Sequence, residues 1–170
     1  MRLENTQKAL EAFKDFIIQQ SRSRLSKAGK KATGSLYQNL SGEVDAMPNS
    51  IYVKFEMPYY GKFQDKGVSG TKRKYDTPYS FKNKMPPIKD IAQWAKSKNI
   101  RLRDENGRFT KGNYNTIGFI FARSIKEKGI KPSLFFTKPF EQAFEKLPDE
   151  LIEAFALDMD DFFGYTIKQI

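Results

Sequence analysis

The side chains with the clearest chemical potential are three aspartates near the end of the chain, Asp158, Asp160 and Asp161. Grouped carboxylates can hold hard divalent cations for phosphodiester cleavage. The spacing argues against that use, because helix positions i, i+2 and i+3 point in different directions. Solvated carboxylates, or carboxylates in a protein interface, are the better interpretation. A phosphodiesterase is therefore the weakest of the candidate functions.

Histidine and cysteine are both absent from the 170 residues. Thiolate catalysis, disulfides and cysteine-ligated zinc are therefore excluded, and the commonest general base near neutral pH is missing. The sequence also lacks a phosphate-binding loop, a dinucleotide-binding glycine pattern and an HExxH motif. We expect a protein that is not an enzyme, with no catalytic residue, no cofactor and no metal site.

Two segments combine aromatic and basic side chains, as single-stranded nucleic-acid binding proteins do where bases stack on rings. Aromatic residues that pack a loop onto the core, or into another subunit, explain the pattern better. We therefore treat these residues as candidates for a protein interface: Tyr59, Tyr60, Phe63, Lys72, Arg73 and Lys74.

Charge is distributed unevenly along the chain. The 30 Lys and Arg exceed the 20 Asp and Glu by +10, with +11 in residues 71–131 and −5 in residues 132–170. The basic segment fits nucleic acid, whose phosphates it would neutralise, an acidic protein surface, or simply a solvated face. Charge by itself does not separate these three.

The three aspartates are predicted to lie at the C-terminal end of a helix, where each negative charge opposes the helix dipole by about 0.3–1 kcal/mol. A basic surface on a neighbouring copy is a natural partner for them. Contacts between unlike patches of identical subunits run head to tail and can close into a ring.

The first half of the chain predicts a helix, a short helix and a hairpin. Apolar residues recur at helical spacing over residues 2–22, and the polar segment up to Gly29 continues that helix. Thr33 is expected to cap a short helix that extends to Leu40. Alternating apolar and polar residues predict a strand over Ser50–Met57, paired through the Met47-Pro48-Asn49 turn with a strand at residues 43–46.

The second half predicts a long loop followed by three or four helices. The loop covers residues 67–87, and the first helix covers residues 88–98. Asn106-Gly107 predicts a type I′ hairpin that carries Arg101, Arg103 and Arg108. Further helices are expected over residues 115–128 and after Phe140, with a split or bend at Pro148. The helix over residues 115–128 is expected to end at Gly129 and to face these residues inward: Ile117, Ile120, Phe121, Ser124 and Ile125. The one or two C-terminal helices are marked by the apolar residues Phe140, Phe144, Leu147, Leu151, Ile152, Phe155, Met159 and Phe162.

These elements predict an α+β fold in which a small antiparallel sheet packs on long N- and C-terminal helices. We expect residues 1–170 to form a single domain, with residues 71–131 inserted as a basic loop-helix-hairpin-helix arm. The first residues lack the apolar core of a signal peptide, and no segment reaches the roughly 18 apolar residues of a membrane span. We therefore expect synthesis in a cytoplasm and no membrane partner.

Three short motifs occur in an order known from one family. Thr33, Gly34 and Leu36 match the start of Thr-Gly-x-Leu-x-x-Ser-Ile; Tyr60 and Phe63, with the glycine loop after them, are similar to Tyr-Ala-x-Tyr-x-Glu-Phe-Gly-Thr. Phe136, Lys138 and Pro139 are similar to Pro-Phe-Leu-Arg-Pro-Ala. In this order the motifs resemble the tail-completion, or head-tail joining, family of tailed bacteriophages.

The resemblance implies a structural virion protein of the phage neck. It implies a homo-oligomeric ring, six- or twelvefold, between portal or adaptor and tail proteins, close to the packaged DNA and assembled in the host cytoplasm. For the basic arm we favour contact with protein, because strong phosphate binding along an exit channel would impede ejection. The main alternative is a stand-alone nucleic-acid-binding protein that uses the basic loop and the hairpin.

Overall fold

The structure of the protein, a computed structural model, describes residues 3–29, 34–47, 50–110 and 112–167. The chain divides into two units, the first formed by residues 1–61 and 134–170 and the second by residues 62–133. The predicted insertion, residues 71–131, lies inside the second unit. The α+β class is confirmed, with a two-stranded antiparallel sheet and long helices near both ends of the chain.

The first unit is built from helices and one hairpin. Its helices and strands are α1 (Glu4–Lys27), α2 (Ser35–Gln38), β1 (Ser41–Met47), β2 (Ser50–Glu56), α6 (Thr137–Phe144) and α7 (Leu147–Ile167). The helix α1 ends before Gly29, which adopts φ +64°, as predicted from the glycine. The predicted cap Thr33 lies outside the described residues, and Gly34 precedes α2 at φ +75°.

The predicted antiparallel hairpin is confirmed, with β1 longer than the predicted strand at residues 43–46. Pro48 and Asn49 of the predicted turn lie outside the described residues. Val44 pairs with Val53 and Gly42 with Phe55, and the residues of β2 alternate between exposed and half-buried. One face of the hairpin packs on α1, where Gly42 lies so close to Lys14 that a Cβ atom would approach its side chain to 2.8 Å. The hairpin therefore needs a glycine at this point.

Aromatic rings fill the core of the first unit. Phe13 of α1 meets Phe55 of β2 and Phe140 of α6 edge to face, at ring-centre distances of 6.4 and 5.9 Å. Ile17 and Leu10 of α1 are buried beside Phe13. A second cluster joins the end of α1 to α2 through Leu25, Leu36, Leu40 and Phe135.

The second unit is held by α4 (Ile88–Ser97) and α5 (Tyr114–Lys128). These helices approach closely at Gly118, where a Cβ atom would lie 2.9 Å from the Cβ of Ala92. Trp94 and Phe121 pack edge to face at 5.8 Å. The predicted inward position of Ile120 is wrong, because Ile120 is exposed on α5.

The long loop contains no helix or multi-residue strand, yet it is ordered by backbone hydrogen bonds. Val68 pairs with Ile130, and Ser69 exchanges hydrogen bonds with Tyr79 and Phe81. Before it lies the short helix α3 (Gly61–Lys66), which was not predicted.

Candidate protein interface

The helix α7 exposes an apolar stripe to solvent. Ile152, Phe155, Met159 and Phe162 follow the spacing i, i+3, i+7 and i+10, which places them on one side of a helix. Phe163 lies beside them and contacts Phe162 edge to face at 5.8 Å. Met159 is half-buried, and the other four are between 43% and 69% exposed. We call these five residues the apolar stripe.

The apolar stripe lies on the side of α7 that does not face the core. Ile152, Phe155 and Phe162 marked this helix in the sequence, and all three are exposed, as is Phe144 of α6. A neighbouring stripe, Leu147, Leu151, Ala154 and Asp158, faces inward instead. Apolar residues occupy more of the circumference of α7 than the core can bury. Periodicity therefore could not show which of the two apolar sides faces inward.

The apolar stripe is large enough to mark an interaction site. An aromatic side chain offers about 150–250 Å² for burial, so four large side chains at about half exposure leave roughly 400 Å² uncovered. The largest apolar patch on a typical monomer is about 300–600 Å² and is often functional, and the apolar stripe lies in this range. The uncovered area of the apolar stripe is about half of the roughly 800 Å² that each partner contributes to a stable interface.

Asp158 is a buried helix cap, and its predicted place in a solvated or interface cluster is wrong. The side chain is only 3% exposed and faces the first turn of α1. Its carboxylate accepts hydrogen bonds from the backbone N–H of Asn5 at 2.8 Å, the N–H of Thr6 at 2.9 Å and the Thr6 hydroxyl at 2.7 Å. Leu3 occupies the N-cap position of α1, and its side chain makes no capping hydrogen bond. Asp158 of α7 supplies the cap instead.

The electrostatics of Asp158 follow from this geometry. Burial raises the pKa of its carboxyl, but the hydrogen bonds from Thr6 and Asn5 outweigh burial and hold the pKa below its usual value. The positive end of the α1 dipole also favours a negative charge here. The prediction that Asp158 opposes the dipole of its own helix is therefore wrong. Its charge complements the dipole of α1 instead.

The other two aspartates are exposed, and only Asp161 shares the α1 side of α7 with Asp158. Asp161 lies near α1, where the Asn5 side-chain amide donates to it at 3.4 Å, and Asp160 lies on the outer side of α7. The described residues contain no group of three acidic side chains that could hold a metal ion. None of the helices within the described residues has the length and apolar content to cross a membrane.

A cleft of about 750 Å³ opens between the ends of α1 and α7. The two helices run antiparallel, with the first turn of α1 beside Asp158 and with α7 continuing beyond that point. We call this space the α1–α7 cleft. Its lining combines acidic and aromatic side chains with one lysine: Glu4, Asn5, Lys8, Asp158, Asp161, Phe162 and Tyr165.

The predicted hairpin forms in the second unit, with a different turn. Arg103 and Phe109 pair across it, and Gly107 donates to the carbonyl of Asp104 at 3.0 Å. Gly107 adopts φ +78°, but Asn106 is not among the residues with positive φ. A type I′ turn needs positive φ at both central residues, so this prediction is wrong.

The reason for the different turn lies in Asp104. Its carboxylate accepts from the backbone N–H of Asn106 at 3.0 Å and of Arg108 at 2.8 Å. Aspartate side chains that bond the backbone two residues further on stabilise local turns. The Asn106-Gly107 pair therefore predicted the position of the hairpin correctly. The hydrogen bonds accepted by Asp104 determine which turn type it adopts.

The hairpin exposes an aromatic ring beside two guanidinium groups. The guanidinium of Arg103 lies 4.3 Å from the centre of the Phe109 ring, and that of Arg101 lies 5.8 Å away. Phe109 is 60% exposed, and Arg108 is exposed beside it. Phe109 was not among the predicted interface residues. The sequence signal that could have identified it is an aromatic residue next to the arginines of a basic hairpin.

The other predicted residues are divided between the two units. Tyr59 and Tyr60 belong to the first unit and are exposed. Phe63 belongs to the second, where it packs against Tyr79 at 4.8 Å and thereby orders the long loop, the role that was favoured over base stacking. The twelve predicted residues thus do not form one continuous surface within either unit.

The basic run of the loop is exposed and held by its neighbours. Lys72 forms an ion pair with Glu127 at 2.8 Å, and Arg73 stacks on the Tyr75 ring at 5.3 Å. Lys74 is exposed. The ion pair, with a second contribution from Arg123, lowers the pKa of Glu127. Lys72 therefore has an ion-pair partner within its own unit, which makes its charge less available to a binding partner than that of Lys74.

The two units differ strongly in charge. Residues 62–133 contain 18 Lys and Arg and six Asp and Glu, a net +12, whereas the remaining residues contain 12 and 14, a net −2. A positive surface and an acidic, apolar surface are thus presented by different parts of one chain.

Comparisons of the chain with protein-family models, with curated proteins and with solved structures found no significant match. The assignment of a candidate interface therefore depends on the geometry and charge of the described residues.

Proposed function

We propose that the protein is a structural component that assembles with copies of itself into a ring in the neck of a tailed bacteriophage. In this role it joins the portal or adaptor to the tail around the DNA channel, as part of the virion. The observation that carries the assembly proposal is the apolar stripe of α7, which leaves roughly 400 Å² of apolar surface in water. The phage context comes from the motif resemblance.

Burial of the apolar stripe gives assembly a driving force. At about 25 cal/mol per Å², covering roughly 400 Å² on each partner contributes about 10 kcal/mol per copy before the entropy of association is subtracted. Among the described residues of α7, the inward stripe packs on the core, the acidic side is solvated, and the apolar stripe is exposed. A neighbouring subunit is the proposed partner of the apolar stripe.

The experiment is sedimentation velocity of the purified full chain over a range of concentrations, at low and high salt, followed by negative-stain electron microscopy. Closed rings of six or twelve copies are expected. A monomer under every condition, together with failure to enter phage particles, would overturn the proposal.

A second candidate is a stand-alone nucleic-acid-binding protein. It is favoured by the net +12 of residues 62–133 and by the exposed Phe109 with its neighbouring arginines, since phosphate contacts dominate nucleic-acid affinity. A DNA mobility shift given by monomeric protein, and weakened steeply by salt, would support this candidate. Salt-independent ring formation without DNA supports the neck protein.

A further inference from the structure

We propose that the hairpin of residues 101–110 in one copy binds the outer side of α7 in the next copy. The inference rests on the proposed function and specifies the two surfaces that link neighbouring subunits. It commits to a second copy of this chain because the two surfaces complement each other in charge, in spacing and in apolar character.

The receiving surface is a row of carboxylates beside the apolar stripe. Asp149, Glu153 and Asp160 are exposed and follow the spacing i, i+4 and i+11, which places them on one side of a helix. Asp149 lies three residues before Ile152, and Asp160 lies three residues before Phe163, a spacing that makes side chains neighbours on a helix surface. We call the three carboxylates the acidic row. It borders the apolar stripe along α7.

The hairpin presents complementary groups on one face. Arg103 and Phe109 pair across the hairpin, and directly paired residues, like residues two apart on a strand, point to the same face. Arg101 therefore shares this face, in agreement with the guanidinium–ring distances of 4.3 Å for Arg103 and 5.8 Å for Arg101. Arg103 also donates to the carbonyl of Gly107 at 2.9 Å. Because these groups are ordered before binding, less conformational entropy is lost on association.

The spacing of the charges agrees between the two surfaces. Arg101 and Arg103 are two residues apart, which spans about 6.6 Å in extended backbone. Asp149 and Glu153 are four residues apart on a helix, which spans about 6 Å. The planar fork of arginine matches a carboxylate, so each guanidinium would face one carboxylate of the acidic row. The Phe109 ring would then pack on the adjoining apolar stripe.

The charge of the hairpin favours a protein partner over nucleic acid. Residues 101–110 contain three Arg and two acidic residues, Asp104 and Glu105, which leaves a net charge of +1. Nucleic-acid affinity grows with the number of phosphates that basic residues neutralise, and two acidic residues at the turn oppose it. A partner with two placed carboxylates needs only the two arginines of one face. Arginine and aromatic side chains are also the usual energetic centres of protein interfaces.

This pairing joins two different surfaces of identical chains. Such a heterologous contact leaves one unoccupied hairpin and one unoccupied acidic row at the ends of a line of subunits until the line closes. It can therefore build the ring of the proposed function. Burial of the apolar stripe supplies the driving force, and the charges set the register between copies.

The test uses two charge-reversed full-length variants. The first carries Arg101→Glu and Arg103→Glu in the hairpin, and the second carries Asp149→Lys and Glu153→Lys in the acidic row. Each variant alone is expected to lose at least about a hundredfold in association constant by sedimentation, because every contact then places like charges together. An equimolar mixture is expected to recover assembly, since each hairpin again meets an acidic row of opposite charge.

Matched controls carry the same charge changes at the same spacing elsewhere. Lys82→Glu with Lys84→Glu alters the second unit, and Glu141→Lys with Glu145→Lys alters the first; all four positions are exposed. Both controls are expected to assemble like the unmodified protein. Circular dichroism checks that each variant is folded.

Neutral substitutions keep the test decisive if a reversed variant does not fold. Arg101→Gln with Arg103→Gln, or Asp149→Asn with Glu153→Gln, removes the attraction without placing like charges together. Each neutral variant is expected to lose about tenfold in association constant, and an unchanged constant would count against the pairing.

The outcomes separate this inference from the proposed function. If the unmodified chain forms rings and the reversed variants do so equally, the pairing of the hairpin with the acidic row is wrong while the proposed function stands. If the hairpin variant assembles normally but loses DNA affinity, nucleic acid is the ligand of the hairpin and the inference is overturned. If the unmodified chain never associates, the proposed function itself fails.

Discussion

Replacing Asp158 with asparagine tests the most specific contact in the first unit. The substitution keeps the shape of the side chain but removes its charge, and an amide oxygen replaces the carboxylate that accepts from Asn5 and Thr6 at 2.7–2.9 Å. The α1 helix then lacks a charged acceptor at its first turn. We expect the variant to be less stable at neutral pH, with its remaining fold unchanged.

The magnitude follows from the groups involved. Loss of a helix cap costs about 0.5–2 kcal/mol, and hydrogen bonds to a charged acceptor contribute about 1.5–3 kcal/mol. These terms overlap, and water in the neighbouring cleft can replace part of what is lost. We therefore expect about 1.5–3 kcal/mol, which corresponds to a fall in Tm of roughly 3–12 °C for a chain of this size.

The same contact has a defined dependence on pH. The pKa of Asp158 is lower in the folded chain than in the unfolded chain, so its stabilisation is present above the unfolded pKa of about 3.9. It is lost as the pH falls through the lower, folded value. The stability difference between the native protein and Asp158→Asn should therefore be full at pH 7 and should shrink below about pH 4.

The assay is thermal or urea unfolding followed by far-ultraviolet circular dichroism between pH 7 and pH 2. Asp160→Asn is the matched control, because it makes the same chemical change at an exposed position two residues away and should have little effect. A loss below about 0.5 kcal/mol, or a difference that does not vary with pH, would refute the capping role of Asp158.

Three further predictions concern the apolar stripe and the second unit. The pair Ile152→Ser and Phe155→Ser should abolish self-association in sedimentation while leaving Tm nearly unchanged, because both side chains are exposed in the single chain; a large fall in Tm would contradict this. Gly129→Ala should destabilise the second unit by at least about 2 kcal/mol, because its φ is +75° and a Cβ would lie 2.2 Å from the Val68 carbonyl oxygen. Gly107→Ala, at similar φ but in open space, should cost only about 1 kcal/mol, and equal effects in thermal unfolding would argue against the close contact. Glu127→Gln should leave the rate of proteolysis of the long loop nearly unchanged, since the Glu127 backbone carbonyl still accepts from the N–H groups of Lys72 and Arg73; rapid cleavage would show that the ion pair holds the loop.

Local sequence signals predicted most of the secondary structure. Alternation in Ile51, Val53 and Phe55 identified β2, and Pro87 with the periodic residues after it identified α4. Glycine at positions 29 and 129 marked where α1 and α5 end. Such signals are reliable because strand alternation, helix periodicity and chain termination depend on neighbouring residues only.

The sequence by itself determined the elements, the α+β class, the basic character of residues 71–131 and the lack of histidine and cysteine chemistry. The tertiary structure decided which side of α7 is buried, because Leu147, Leu151 and Ala154 face the core while an equally apolar side does not. It also assigned Asp158 to the first turn of α1, a partner more than 150 residues away. The physical reason is that periodicity places residues on a common side of a helix, whereas burial and hydrogen bonding depend on what the folded chain brings against that side.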